Sequence, residues 1–279
     1  MRLSELGERG LLAELERRGL ARGIEHDAAQ LEHGFVVTQD ALVEGVHFRL
    51  DWTTHRELGY RAAAVNLSDL AASGAEPRAL LVTLATPDKT ALEEVLELYA
   101  GLNEPGVPIV GGDTTGAPQL TLAVTAVGRS ERVPGRAGAV AGDAVVVTGS
   151  LGAAGAAFRS GRHARPPLRL DEGRRLAVAA HALTDISDGL AVEAAHIAAR
   201  SRCRVEIDLE RVPLAPGATI DDLGFGEDYE LLAATTEPLG FAVIGLCTEG
   251  EGVEIRRGDE AVRLPGWDHF GGRGAADLR

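Results

Sequence analysis

Apolar positions along this chain switch between a helical and an alternating period, and the switches mark its elements. Leucines at helical spacing in "SELGERGLLAELERRG" (4–19), with Ser4 as a cap, predict an amphipathic helix. "FVVTQD" (35–40) predicts a short strand that ends in polar residues. "HRELGYRAAAVNLSDLAASGA" (55–75) predicts an Ala-rich helix, "ALLVTLAT" (79–86) a strand, and "TALEEVLELYAGLNEPG" (90–106) a helix stopped by Pro and Gly. "VPIVGGDTT" predicts a strand running into a Gly-Gly-Asp turn, and "QLTLAVTAVGR" (119–129) a further strand.

The pattern then restarts. The Gly- and Pro-bearing stretch "SERVPGRAGAVAGD" (130–143) separates the halves. A strand "AVVVTGS" (144–150) leads into Gly- and Ala-rich helix, and "RPPLRLDEGRRLAVAAHAL" supplies a loop and another helix. "ALTDISDGLAVE" (182–193) reads as a strand-to-helix junction, with the helix over 189–201. A strand (203–209), a Pro-rich loop, "GEDYELLAAT" and strands near 241–247 and 253–257 complete the chain. Strands and helices alternate in both halves, which predicts a layered α/β fold in two domains, residues 1–135 and 136–279.

Composition narrows the function classes. The chain has 279 residues, 45% of them hydrophobic and 25% charged, as in an ordinary globular protein. Its formal net charge of −14 argues against nucleic acid or an anionic membrane as a partner. The same charge means that an anionic ligand would need its field neutralised. Cys203 and Cys247, the only cysteines, read as reduced buried thiols. No stretch reaches membrane-span length and the N-terminus lacks a signal-peptide layout, so a cytoplasmic protein is expected. Lys89 is the sole lysine among many arginines, a bias that reads as genomic rather than mechanistic.

The chemistry lies in where acids fall. Asp40 closes a predicted strand, Asp113 follows one through two glycines, Asp185 and Asp188 flank a strand-to-helix corner, and Glu227-Asp228 follow Gly226. Asp69 sits in an Ala/Leu/Val helix, a costly place for a lone carboxylate. Taken singly, each is better read as a cap or turn residue. Together they favour a shared cation site, since element ends are where α/β proteins build sites. An oxygen-only donor set suits Mg²⁺ or Ca²⁺ rather than zinc. Magnesium would also bridge an acidic protein to phosphates. The phosphate loop G-x-x-x-x-G-K-[ST] and the protein-kinase motifs are absent from the sequence. Nucleotide chemistry would then rest on metal, backbone N–H groups and arginine. Arg136, between glycines, is the candidate, although alone it reads as a solvated linker residue.

The blocks "HDAAQL", "TQDALVEGVHF", "AVNLSDLAASGAEP", "GGDTT", "RAGAVAGD", "DISDGL", "GEDYELL" and "GWDHF" follow one another over residues 26–270. In that order the chain resembles the thiamine-monophosphate kinase family, within the ATP-binding superfamily typified by aminoimidazole ribonucleotide synthetase. The resemblance implies ATP-dependent phosphorylation of thiamine monophosphate to thiamine diphosphate, by direct transfer with several Mg²⁺ ions. It implies a homodimer that pairs N-terminal domains, with the active site near that interface and the cleft between domains. By motif it implies metal ligands Asp27, Thr38, Asp40, Asp69, Asp113, Asp185 and Asp188, with Gln39 through its backbone. ATP contacts would come from Gly112, Asp113, Arg136 and Ser187, and thiamine-phosphate contacts from His47, Glu227 and Trp267.

Each of the last two aromatic residues has a plainer reading, His47 as a surface histidine and Trp267 as a packing residue. The attacking phosphate oxygen is already ionised, so no strong general base is required. One departure stands out: the family's Gly-Asp-Asp is replaced by Glu25-His26-Asp27, which implies altered metal affinity with activity retained. Residues 150–184 are also fewer than in relatives, consistent with a trimmed surface loop. Two alternatives are a superfamily enzyme with another acceptor and a non-catalytic nucleotide- or thiamine-phosphate-binding protein. An N-terminal Cys with a nearby Lys, expected for selenophosphate synthesis, is missing.

Overall fold

The computed structural model describes residues 2–21 and 26–267. In order, the elements of the first half are α1 (Leu3–Arg17), β1 (Ala29–Gln30), β2 (Phe35–Val43), α2 (His55–Ala72), β3 (Glu76–Thr86), α3 (Leu92–Asn103), β4 (Ile109–Gly116) and β5 (Thr121–Arg129). The second half holds β6 (Ala144–Val147), α4 (Ala153–Phe158), α5 (Leu170–Ala179), β7 (Ala180–Asp185), α6 (Leu190–Ser201), β8 (Arg204–Asp208), β9 (Leu231–Thr235), β10 (Ala242–Thr248), β11 (Gly252–Arg257) and β12 (Glu260–Ala261). Helices pack on two sheets, so the fold is mixed α/β. The first sheet runs β1-β2-β5-β3-β4 and the second β12-β11-β8-β10-β6-β9-β7. Among the strand pairs of the described residues, β3–β4 and β8–β11 are parallel and the rest antiparallel.

Helix α2 organises the site. It opens with a reciprocal cap, in which Glu57 N donates to Thr54 Oγ1 (3.2 Å) and Thr54 N to Glu57 Oε2 (2.9 Å). Fourteen of its residues are buried, so it is apolar nearly all round, as a helix packed on several sides must be. The first sheet covers one side, α3 another, and α5 and β7 of the second half a third. A Cβ at Gly59 would overlap the Leu98 carbonyl, and one at Gly101 the Arg56 carbonyl, so α2 and α3 pack backbone to backbone. The polar exceptions on α2, namely Arg61, Asn66, Ser68 and Asp69, all make side-chain hydrogen bonds.

Three local expectations are corrected. Helix α1 is capped at Arg2, whose N–H donates to Glu5 Oε2 (2.8 Å), and Ser4 lies inside its first turn. Strand β2 does not end at Asp40 but continues to Val43, because Asp40 to Val43 keep their pairing with β5. The Gly-Gly-Asp stretch is strand rather than turn: Gly111 to Gly116 pair in parallel with Leu81 to Thr86 of β3. Gly112 is required there, since its φ is +145° and a Cβ would overlap the Val82 carbonyl oxygen.

Candidate functional site

A cleft of about 650 Å³ runs along one end of α2 and the loops of both sheets. Of the residues singled out from sequence, Gln39, Asp40, His47, Asp69, Asp185, Ser187, Asp188, Glu227 and Trp267 line it. Asp69 and Asp185 lie on its floor, and a carboxylate oxygen of Asp27, which does not itself line the cleft, lies within 4.8 Å of theirs. These three come from the segment before β1, from α2, and from the end of β7, so both halves of the chain build the cluster.

Like charges crowd this part of the cleft. Burial, then the neighbouring Asp40, Asp185 and Asp27, push the Asp69 carboxyl well above its ordinary range. Burial and Asp27 do the same to Asp185. Hydroxyls oppose this: Thr38 Oγ1 donates to Asp69 Oδ2 at 2.5 Å, and Ser68 Oγ to Asp185 Oδ2 at 2.6 Å. Asn66 ties α2 to β2 by accepting the Asp40 N–H at 2.9 Å, while its own amide donates to Ala62 O.

Arg136 is not a solvated linker residue. Its guanidinium donates to Asp27, to Thr184 Oγ1 (3.2 Å) and to Glu193 Oε2 (3.4 Å). Glu193 is fully buried, and burial raises its carboxyl to about 8. The sequence reading missed Glu193 and Ser68, although both stand inside quoted motifs, within five residues of Asp188 and next to Asp69. It also missed Arg61, which is buried and pairs with Glu227.

The remaining predicted residues divide. His47 Nδ1 accepts the Val43 N–H (3.0 Å), which fixes its ring against β2. Trp267 is tied to the "DISD" loop through its N–H to Asp188 O (3.1 Å); the rest of "GWDHF", residues 268–270, lies outside the described residues. Glu227 and Tyr229 both adopt positive φ, held by N–H bonds to Ser187 O (2.7 Å) and Ile186 O (2.9 Å). Asp228, by contrast, points away as a cap: both its oxygens accept from Gly152 N (2.9 and 2.8 Å), and burial raises it to about 6. Gly112 and Asp113 do not line the cleft; they sit on exposed β4, at the edge of its sheet. His26 packs against Gly135.

The family model of AIR synthase related protein, N-terminal domain, matches residues 25–130, and that of the C-terminal domain matches residues 140–255. Thiamine-monophosphate kinase of Aquifex aeolicus is 32% identical over 97% of this chain and 100% of that protein. Its counterpart from Synechococcus elongatus is 36% identical over 96% of this chain and 98% of its own length. Among solved structures, AaThiL complexed with AMPPCP and TMP matches with a TM-score of 0.90 and 33% identity, covering 97% of this chain and 99% of that one. The hydrogenase maturation protein HypE of E. coli, at 22% identity and a TM-score of 0.70, shares the fold.

Proposed function

This chain belongs to the AIR synthase related proteins and, within them, to the thiamine-monophosphate kinases, and from that premise we propose how its cleft works. The protein is an ATP-dependent kinase that phosphorylates thiamine monophosphate to thiamine diphosphate. The observation that carries the residue-level account is the Asp27–Asp69–Asp185 cluster, two of whose acids line the cleft. Three carboxylates cannot crowd into a buried space unless cations or protons offset their charge.

The donor set fits magnesium: it is all oxygen, carboxylate-rich and open on the cleft side to phosphates. Asp27, Asp69 and Asp185 would hold Mg²⁺, with Asp40, Asp188, Thr38 and the Gln39 backbone completing the shells. When bound, the ions supply neutralisation of the phosphate oxygens. The chain's own residues orient the partners. Ser187 and Arg136 flank the acids on the ATP side, and Arg136 is turned toward the cluster by Asp27 and Glu193. His47, Glu227 and Trp267 hold thiamine monophosphate. The acceptor phosphate is ionised at neutral pH, so transfer requires alignment and charge neutralisation but no general base.

Gly112 and Asp113 enter through assembly. Strand β4 is exposed from Val110 to Gly116 and is paired on one side only, an edge suited to a second copy of this chain. In the homodimer so formed, those two residues face the ATP and metal site at the interface. We place the domain division at 135/136, between the two sheets, and the protein in the cytoplasm. No helix among the described residues is long and apolar enough to cross a membrane. The two alternative readings are not favoured, since thiamine-monophosphate kinases align over nearly the whole chain and Asp27 keeps its place in the cluster beside His26. Asp69→Asn and Asp188→Asn test the account: each should reduce turnover at least about 100-fold with the fold intact by circular dichroism. Near-normal rates at limiting Mg²⁺ would overturn the metal cluster.

A further inference from the structure

Arg61, Val65 and Asp69 stand four residues apart on one face of α2, so each step along the cleft is about 6 Å. Asp69 marks the phosphate end. Arg61 and its partner Glu227 mark the opposite end, about 12 Å away on the helical rise. That far end is walled by rings. Phe158 packs edge-on against Trp52 (centroids 5.4 Å apart) and at a tilt against Phe225 (4.9 Å), and His163 lies 5.6 Å from Trp52. Phe158, Phe225, His163 and Glu227 all line the cleft, so this end offers flat apolar surface with polar atoms at its margin.

The polar atoms have defined roles. His163 Nε2 accepts the Arg49 N–H at 3.3 Å, which leaves the proton of a neutral ring on Nδ1. Nδ1 makes no hydrogen bond to the described residues. Burial, reinforced by the charge of Arg61, lowers the ring to about 4, so it is neutral at working pH. Arg61 occupies Glu227 Oε1, leaving Oε2 to accept from a ligand, and Glu227 is near enough for its charge to act on the His163 ring. A donor and an acceptor beside aromatic walls complement a heteroaromatic ring that carries an amine next to a ring nitrogen.

We propose that His163 is a specificity-determining residue for the organic end of the substrate, donating from Nδ1 to a ring nitrogen of the aminopyrimidine while Glu227 accepts from its exocyclic amine. The inference rests on the kinase reading and adds to it a residue outside the sequence blocks that carry the resemblance. It is tested with His163→Gln, which keeps an acceptor where Nε2 stood, and His163→Asn, which keeps a donor where Nδ1 stood. Both are assayed with thiamine monophosphate and with its analogue in which that ring nitrogen is replaced by C–H.

His163→Gln should raise the KM for thiamine monophosphate about tenfold, with kcat and the KM for ATP within about threefold of wild type. His163→Asn should keep most of the affinity. The C–H analogue should lose about tenfold on the wild type and little more on His163→Gln, because the two changes remove one bond. Losses that simply add, an unchanged KM in His163→Gln, or equal damage in both variants would overturn the proposal and leave the kinase reading standing. Failure of the wild type to turn over thiamine monophosphate would overturn both.

Discussion

Ser68→Ala isolates the support beneath a proposed metal ligand. Ser68 is buried in α2 and donates its hydroxyl to Asp185 Oδ2 at 2.6 Å, linking the first half of the chain to the end of β7. It steadies the ionised carboxylate, against the burial and the Asp27 charge that push Asp185 up. A hydrogen bond to a charged group contributes about 1.5–3 kcal/mol. Losing it makes the ionised, metal-binding form of Asp185 harder to reach by about 10- to 100-fold, the usual effect of removing a partner behind a metal ligand. The substitution deletes one oxygen and favours helix, so the fold should survive. The assay is initial rate against free Mg²⁺, at saturating ATP and thiamine monophosphate. The Mg²⁺ midpoint should rise by that factor, while kcat at saturating Mg²⁺ stays within about threefold of wild type. A midpoint within twofold of wild type would refute the reasoning that Asp185 binds metal through a carboxylate held by Ser68.

Other perturbations read different parts of the account. Arg136→Ala removes the guanidinium that Asp27 and the buried Glu193 share, and should lower stability by about 3–5 kcal/mol in chelator by urea unfolding, with partial recovery in Mg²⁺. Gly112→Ala forces a Cβ onto the Val82 carbonyl at a φ of +145°, and should cost about 3 kcal/mol or more and weaken self-association by sedimentation. Asp228 has a folded-state value raised to about 6 by burial, so the folded protein keeps its proton while the unfolded chain loses it near the ordinary carboxylate value. Stability therefore falls as pH rises from about 4 to 6, by up to about 3 kcal/mol from this group, and Asp228→Asn should flatten that slope in pH-dependent unfolding.

Two acids of the cluster, with Asp188 near them, were legible because they broke a local rule, whereas Asp27 was reached only through the family resemblance. Asp69 was polar in an apolar helix, and Asp185 and Asp188 were more oxygen than one cap needs. Their neighbours were not legible, because their partners are distant in the chain. Ser68 finds Asp185 across 117 positions and Arg61 finds Glu227 across 166, distances at which no periodicity speaks. His163 carries no motif in the sequence, and acquires a role only when Trp52 and Arg49 fold against it. The misread Gly-Gly-Asp stretch has the same cause. Glycine pairs signal turns by propensity, whereas here the glycine lets a strand lie close to β3. Asp228 went the other way, since in the structure it is the cap that a lone acid near a turn suggests.

The central claim is that this acidic cleft moves a phosphoryl group from ATP onto the phosphate of thiamine monophosphate. Phosphorus-31 NMR of the wild-type chain with Mg²⁺, ATP and thiamine monophosphate follows that transfer directly. The account predicts that the monophosphate resonance is replaced by the two coupled resonances of thiamine diphosphate, with one ADP formed for each. Loss of ATP without a diphosphate product, or an unchanged spectrum across a Mg²⁺ titration, would contradict it.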